Sequence, residues 1–502
     1  MPETRNQAEA PYPPVGINTL PAEILTEIFR LASLRHRGGN GLDGHWIDIC
    51  RPIRPKNAPW SFSRVCRQWR AVAIGSPLLW ASLNIDGIPR KASGEQSLLE
   101  LALRRASPTA LRMRINLFTI SWRFTIVVCS HIDKARTLKV EGCRADFDSE
   151  SLYHQNDYSN YTLPRLETLS LQLMPASAPS YNMSISHSTD WNLLLDPFNR
   201  CANLRSLSLT YLPSKWIGYD STTFRSGHIQ WHQLVNLELS VREKEGFILS
   251  VLKETYRLQT LSINGASIIT DTEAHPLSHL RIILPHLATL SLKDFYTGTL
   301  IQYLSCPALD NLSCEAVRCV PALQILLEQS RAPATVKLDV EDLGYESPPW
   351  GPVMHLLSHA ASLTLSGHGV DNVRQSLERF LILSELGDNS AILFPGLTAF
   401  NLRYQGWLHD SVNALVSSDL VRFMSQRPIK VFTLTHRSVD ERRGVNLSLD
   451  SEGRERVLER LGDLVERGVE IRFETFDFPA NDFEEDTPVI EIDSSDSDEE
   501  DI

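Results

Sequence analysis

The spacing Leu-x-x-Leu-x-Leu recurs through most of this chain and constrains the fold more than any other feature. "LETLSL" begins at Leu166, "LRSLSL" at Leu204, "LVNLEL" at Leu234, "LQTLSI" at Leu258, "LATLSL" at Leu287 and "LDNLSC" at Leu309. Weaker copies are "TVKLDV" at Thr335, "ASLTL" at Ala361, "LTAFNL" at Leu397 and "IKVFTL" at Ile429, and "VEIRF" at Val469 closes the series. Upstream, "SLNI", "LRMRI" and "TLKV" around Leu83, Leu111 and Leu138 read as degenerate first copies. Nine steps from Leu166 to Ile429 give a mean period of about 29 residues. Leu-x-Leu is a short strand whose alternate side chains point inward. Helix-compatible stretches lie between the copies: "WNLLLDPFNRCANL", "GFILSVLKETYRL", "LIQYLSCPAL", "PALQILLEQS", "VMHLLSHAA" and "SVNALVSSDLVRFMSQ". No single strand–helix unit buries its own apolar face, so neighbouring units must stack.

A strand and a helix every 20–29 residues resembles the leucine-rich repeat. The resemblance implies an α/β repeat, an irregular solenoid over residues 86–478. Strand residues that alternate with the leucines then share one outward face. Ser206, Ser208, Thr210, Asn236, Glu238, Thr260, Asn264 and Lys293 are the candidate target-binding positions on it. Threonine favours strands in any case, so a solvated sheet face is the simpler alternative. The segment "GRERVLERLGDLVERGVEIRF" is apolar on one helical face and charged on the other, which suits a terminal cap.

The N-terminal portion has a different pattern. In "TLPAEILTEIFRLAS", Ile24, Leu25, Ile28, Phe29 and Ala32 fall on one helical stripe flanked by Leu20 and Leu31. Pro21 suits the first position of a helix, and Glu23 the positive end of its dipole. A Gly- and Pro-rich insertion, residues 35–59, follows. The helical pattern resumes in "WSFSRVCRQWRAVAIGSPLLW". There Ser61 or Ser63 can cap the start, Gly75 can close the end in the left-handed region, and Pro77 forbids continuation. Two short helices with tryptophans at 60, 69 and 80 carry more apolar surface than a module of this size can enclose.

"LPAEILTEIF" followed by "SRVCRQWRAVAIGSPLLWASL" resembles the F-box-like domain abundant in fungi. The resemblance implies a small all-α helical module over residues 16–85, preceded by a disordered stretch, 1–15. It implies docking on a Skp-type adaptor that bridges to a cullin ubiquitin ligase. Leu20, Pro21, Ile24, Leu25, Ile28 and Phe29 would lie near the adaptor, with Val65, Trp69 and Trp80 supporting or joining that surface. The insertion at 35–59 departs from shorter members of the family. The function implied is that of a substrate-recognition subunit, a monomer outside its complex, cytoplasmic or nuclear, with an unknown target protein. The alternative is an interaction scaffold without a ligase, in which these helices only cap the repeat array.

The net charge of −12 is concentrated at one end: eleven acids and no Lys or Arg lie between Asp482 and Asp501. The rest of the chain is close to neutral, which argues against a nucleic-acid partner. Residues 479–502 read as a disordered acidic tail. Within it, Val489, Ile490 and Ile492 precede an acidic serine cluster, which resembles a SUMO-interacting motif that adds as a strand to a sheet edge. Ser495 and Ser497, each with an acid three residues on, suit an acidophilic kinase.

No run of about 20 apolar residues predicts a membrane span, and "MPETRNQAEAPYPPVG" lacks the apolar core of a secretory signal. Eight cysteines without a CxxC pair read as reduced, buried thiols. His228/His232 and His355/His359 have HxxxH spacing but no supporting ligand pattern, and "GGNG" at Gly38 lacks the Lys-Ser/Thr of a phosphate loop. The reading is therefore a non-enzyme with no catalytic residue, metal or cofactor.

Overall fold

The computed structural model describes residues 17–34, 47–48, 59–85, 93–106, 109–116, 127–128, 130–143, 163–174, 198, 200–212, 229–241, 245–264, 281–293, 300–315, 320–339, 351–368, 377, 393–405, 416, 418–440, 445–447 and 451–475. All fourteen Leu-x-Leu segments become strands of one sheet. Its first members are β1 (Ile47–Asp48), β2 (Ser82–Ile85), β3 (Leu111–Asn116), β4 (Ala135–Cys143), β5 (Thr168–Met174), β6 (Ser206–Leu212), β7 (Asn236–Val241) and β8 (Thr260–Asn264). A two-residue strand β9 (Ile282–Ile283) intervenes and pairs apart from the main sheet with β11 (Leu304–Ser305). The sheet continues with β10 (Thr289–Lys293), β12 (Asn311–Glu315), β13 (Thr335–Asp339), β14 (Ser362–His368), β15 (Ala399–Gln405), β16 (Val431–Asp440), β17 (Val445–Leu447) and β18 (Glu470–Thr475).

These form a 16-stranded sheet in chain order, with β18 beside β16. Every pairing is parallel except β16 with the short β17. The register is regular: Leu169, Leu207, Leu237, Leu261, Leu290 and Leu312 fall opposite one another. All six are buried, because alternation turns every second side chain onto the core face.

Helices cover that apolar face. Glu245–Glu254, Val320–Glu328, Gly351–Leu357 and Ser418–Ser425 form where the sequence predicts helix. "LIQYLSCPAL" does not: it gives a 3-10 turn, Leu300–Tyr303, followed by β11. The terminal stretch forms two helices, Ser451–Arg460 and Gly462–Glu466. Val457, Leu461 and Leu464 point inward, while Leu458 and Val465 stay exposed. Neighbouring units are also tied by polar contacts. The buried Glu245 carboxylate, for example, accepts a hydrogen bond from the Leu300 N–H at 2.9 Å.

The leading leucine of each copy closes a tight turn that the sequence pattern does not announce. Leu166, Leu204, Leu234, Leu258, Leu287, Leu309 and Leu397 each donate their N–H to the carbonyl three residues back, at 3.1–3.2 Å. The turns at Leu163–Leu166, Cys201–Leu204, Thr255–Leu258 and Leu284–Leu287 share one burial order: two outer residues buried, two middle ones exposed. Successive turns therefore line one rim of the sheet.

The expectation of a small all-α F-box-like module set ahead of a separate leucine-rich-repeat solenoid is corrected by this topology. The fold is α/β, and its large parallel sheet begins inside residues 16–85. β1 and β2 both fall in that span, and β2 pairs in parallel with β3. The helices there, α1 (Ala22–Leu34) and α2 (Arg67–Gly75), share one hydrophobic core with the strands. The physical reason is Trp80. It is fully buried and donates its indole N–H to the Ala73 carbonyl at 2.7 Å. Arg105, on the helix Ser93–Ala106 that follows β2, lies 4.4 Å from its ring centre and 5.4 Å from that of Trp60. A cation over two indoles joins the first helices to the sheet.

Candidate functional site

α1 carries apolar side chains around much of its circumference. At about 100° per residue, the positions from Leu20 to Phe29 spread over roughly 180° of arc, too wide for one partner. The structure divides the arc in two. Leu25 and Phe29 are fully buried. Phe29 stacks on Phe62, with ring centres 4.4 Å apart, and lies 4.9 Å from Trp69. Leu20, Ile28 and Trp69 are half-buried against the same core. Ile24 and Leu31 are 49% and 45% exposed, and Pro21 is exposed beside them.

α2 and the following turn enlarge this surface. The Thr26 and Ser76 hydroxyls lie 3.0 Å apart, and the Gln68 amide donates to the Leu20 carbonyl at 3.3 Å, which fixes α1 against α2. α2 begins one turn later than its apolar pattern suggests. Its N-cap is Cys66, whose sulfur accepts from the Trp69 N–H at 3.4 Å. Ser61 makes no cap hydrogen bond, and the Ser63 hydroxyl donates to the Trp60 carbonyl instead. Gly75 is the last residue of α2 and does not adopt a positive φ; Ser76 follows in extended backbone, and Pro77 opens the 3-10 turn Pro77–Trp80. Val65, Ile74 and Leu78 are exposed. Among the described residues, six of the ten exposed large apolar side chains (Ile17, Ile24, Leu31, Val65, Ile74 and Leu78) therefore lie in this one segment. Of the nine expected adaptor contacts, Leu25, Phe29 and Trp80 are reassigned to the core: each is fully buried and can only support the surface from beneath.

The second expected site is the polar face of the sheet, and here the eight residues do share one side. Asn236, Glu238 and Lys293 are exposed; Ser206, Ser208, Thr210, Thr260 and Asn264 are half-buried. Register aligns Thr168, Ser206, Asn236, Thr260, Thr289, Asn311, Thr335 and Ser362 into a row of small hydrogen-bonding side chains across eight strands. The Ser208 hydroxyl donates to Glu238 at 2.8 Å across one strand pair. Toward the N-terminal end the face becomes charged. Arg114 grips the Glu141 carboxylate through two hydrogen bonds of 3.0 Å, and Lys139 lies 3.1 Å away.

Burial pushes the Glu141 carboxyl up, but the Arg114 hydrogen bonds and the two nearby cations outweigh it and hold the group below its usual range. A depressed carboxylate stabilises the fold above its unfolded-state pKa, and that contribution is lost as pH falls through the lower folded value. Arg114→Ala is thus expected to cost about 2 kcal/mol at neutral pH. The cost should shrink as pH falls below the unfolded-state value, about 4.3, toward the lower folded one. Urea unfolding of both chains at pH 7 and pH 3 checks this.

Val489, Ile490 and Ile492, expected to bind SUMO, and Ser495 and Ser497, expected to be phosphorylated, lie outside the described residues. So do most of the insertion at 35–59, His228 and the "GGNG" stretch. His232, His355 and His359 are exposed, and among the described residues no three His, Cys, Asp or Glu side chains gather as for a metal. Cys201 and Cys306 are buried, and burial pushes both thiols up to about 12. They are protonated and unreactive at neutral pH. No described helix is long and apolar enough to cross a membrane. Set against known proteins, the chain matches no family model and no curated protein.

Proposed function

We propose that this chain is a substrate-recognition subunit of an SCF-type cullin ubiquitin ligase. Its N-terminal helices dock on a Skp-type adaptor, and the polar sheet face holds a target protein. The observation that carries this reading is the concentration of exposed apolar side chains between Ile17 and Leu78. Exposed apolar side chains gathered in one segment of the chain are a mark of an interaction site. It coincides with the segment whose residues resemble an F-box. On this reading Ile24, Leu31, Val65 and Leu78 enter the adaptor, while Leu25, Phe29 and Trp80 hold them in place. The sheet supplies a broad polar face on the same chain. A target bound there is brought near the ubiquitin-loaded subunit, and proximity raises the effective concentration of its lysines.

Calorimetric titration of the full chain with a fungal Skp-type adaptor tests the proposal. One-to-one binding with a negative heat-capacity change is the expected result, since apolar surface is buried. A folded chain that takes up no adaptor would leave α1 and α2 as a cover for the sheet end and remove the ligase from the account.

A further inference from the structure

Beyond the N-terminal segment and the terminal helices, only Tyr256 and Ile283 are large apolar side chains left exposed among the described residues, at 48% and 58%. They sit in consecutive units on the turn-bearing rim. Tyr256 occupies the first exposed position of the turn before β8, and Ile283 ends β9, just before the next such turn. The His232 ring, one unit earlier, stacks nearly parallel to Tyr256 with centres 6.5 Å apart. Three cations stand within three residues of these side chains in the sequence, Lys253 and Arg257 by Tyr256 and Arg281 by Ile283. Lys253, Arg257 and Arg281 are all exposed, and the Arg257 guanidinium lies 5.9 Å from the Tyr256 ring centre. Arg281 donates to the Ser305 hydroxyl and the Gln329 carbonyl, and none of the three cations forms an ion pair with a described carboxylate. Among the described acids, Glu254 follows Lys253 on the helix Glu245–Glu254, and the exposed Glu328 precedes Gln329, whose carbonyl Arg281 meets. An exposed aromatic and an aliphatic side chain with exposed cations close by in the chain fit a segment with a short apolar run flanked by acids.

The chain itself contains such a segment. Val489, Ile490 and Ile492 are apolar, and the eleven acids between Asp482 and Asp501 are unrelieved by any Lys or Arg. Reach permits the contact. From β18 to β8 there are seven strand spacings, about 34 Å across the sheet, and because Thr475 ends β18 while Tyr256 precedes β8 the path also runs back about nine residues along the strands, roughly 25–30 Å, for a diagonal of about 42–45 Å. The fourteen residues from Thr475 to Val489 span up to about 46 Å when extended. We propose that the acidic C-terminal segment docks in cis on the Tyr256–Ile283 patch, its apolar run against those two side chains and its acids against Lys253, Arg257 and Arg281. The proposal stands independently of adaptor binding. It makes the docked apolar run inaccessible to any partner that reads the same residues.

Zero-length carbodiimide coupling of the full chain, followed by mass spectrometry, tests it, because Lys253 is the one lysine in the patch. Lys430 is the control: it is exposed and precedes β16, far nearer to Thr475. Docking predicts that acids of 482–501 couple to Lys253 several-fold more than to Lys430, within one chain. It also predicts that Arg257→Glu, or Ile283→Asp, lowers the Lys253 yield at least tenfold. Both side chains are exposed, so neither change disturbs the core. Coupling that favours Lys430 is the result of an undocked tail and would overturn the proposal. Coupling that joins an isotopically labelled chain to an unlabelled one would overturn docking in cis.

Discussion

Aspartate at both Ile24 and Leu31 is expected to weaken adaptor binding more than a hundredfold while leaving the chain folded. Each side chain is about half exposed in the free chain. A charge there remains in water, and exposed substitutions of this kind stay within about 0.5 kcal/mol. In the complex the same carboxylates would be desolvated against apolar surface with no cation supplied for them. Truncating or mismatching a central anchor of an interface costs about 2–4 kcal/mol, and a hundredfold loss needs only about 2.7 kcal/mol. Ile28 is the wrong partner for this experiment. It is half-buried and packs on the core, so charging it would mix lost binding with lost stability. Calorimetry reads the affinity, and thermal unfolding monitored by circular dichroism reads the fold. Unchanged affinity in the double variant would remove α1 from the interface.

Trp80→Ala is the change expected to damage the fold most, by about 3–5 kcal/mol. The indole is fully buried, meets Trp60 edge-on at 4.8 Å between ring centres, and carries Arg105 on its face. Removing it leaves a cavity, an Ala73 carbonyl without its donor and a partly buried guanidinium without its ring. Trp80→Phe keeps most of the volume and loses the hydrogen bond, at about 1 kcal/mol. Urea unfolding separates the two variants. A loss below about 1 kcal/mol for alanine would mean that the first helices are not joined to the sheet through this side chain. The two experiments read different quantities: the α1 change removes binding and spares stability, and the Trp80 change lowers the stability on which the surface depends.

The strands were legible because strand alternation is local. Leu207 and Leu209 announce their own face, and every copy repeats the statement. The polar face followed directly, since Ser206 and Ser208 must point the other way. The helical segment was harder to read. Its apolar residues carry no mark for inside or outside, so Trp80 reads as supporting or joining a surface and Ile24 as equivalent to Leu25. Only packing against Phe62, Trp69 and Arg105 separates them. Capping was misread because two serines precede α2, yet the cysteine sulfur takes the N–H. The separateness of an all-α module was an error of another kind: "SLNI" around Leu83 reads as a repeat copy, yet the boundary at 85 left it inside the helical module, and β1 carries too few residues to show a period. The rim of paired turns, with Tyr256 and its cations, was invisible because its residues stand in different copies and come together only through register.

The order of strands in the sheet is the order of the chain, and this bears on synthesis. Within the main sheet each strand hydrogen-bonds to the sheet strand made before it, with β17 alone turning back and β18 settling beside β16, while β9 and β11 pair apart. No described strand must wait for a partner from the far end of the sequence. The growing chain can therefore lay down its sheet strand by strand as it leaves the ribosome, and the N-terminal helices, with the apolar surface they present, take shape first.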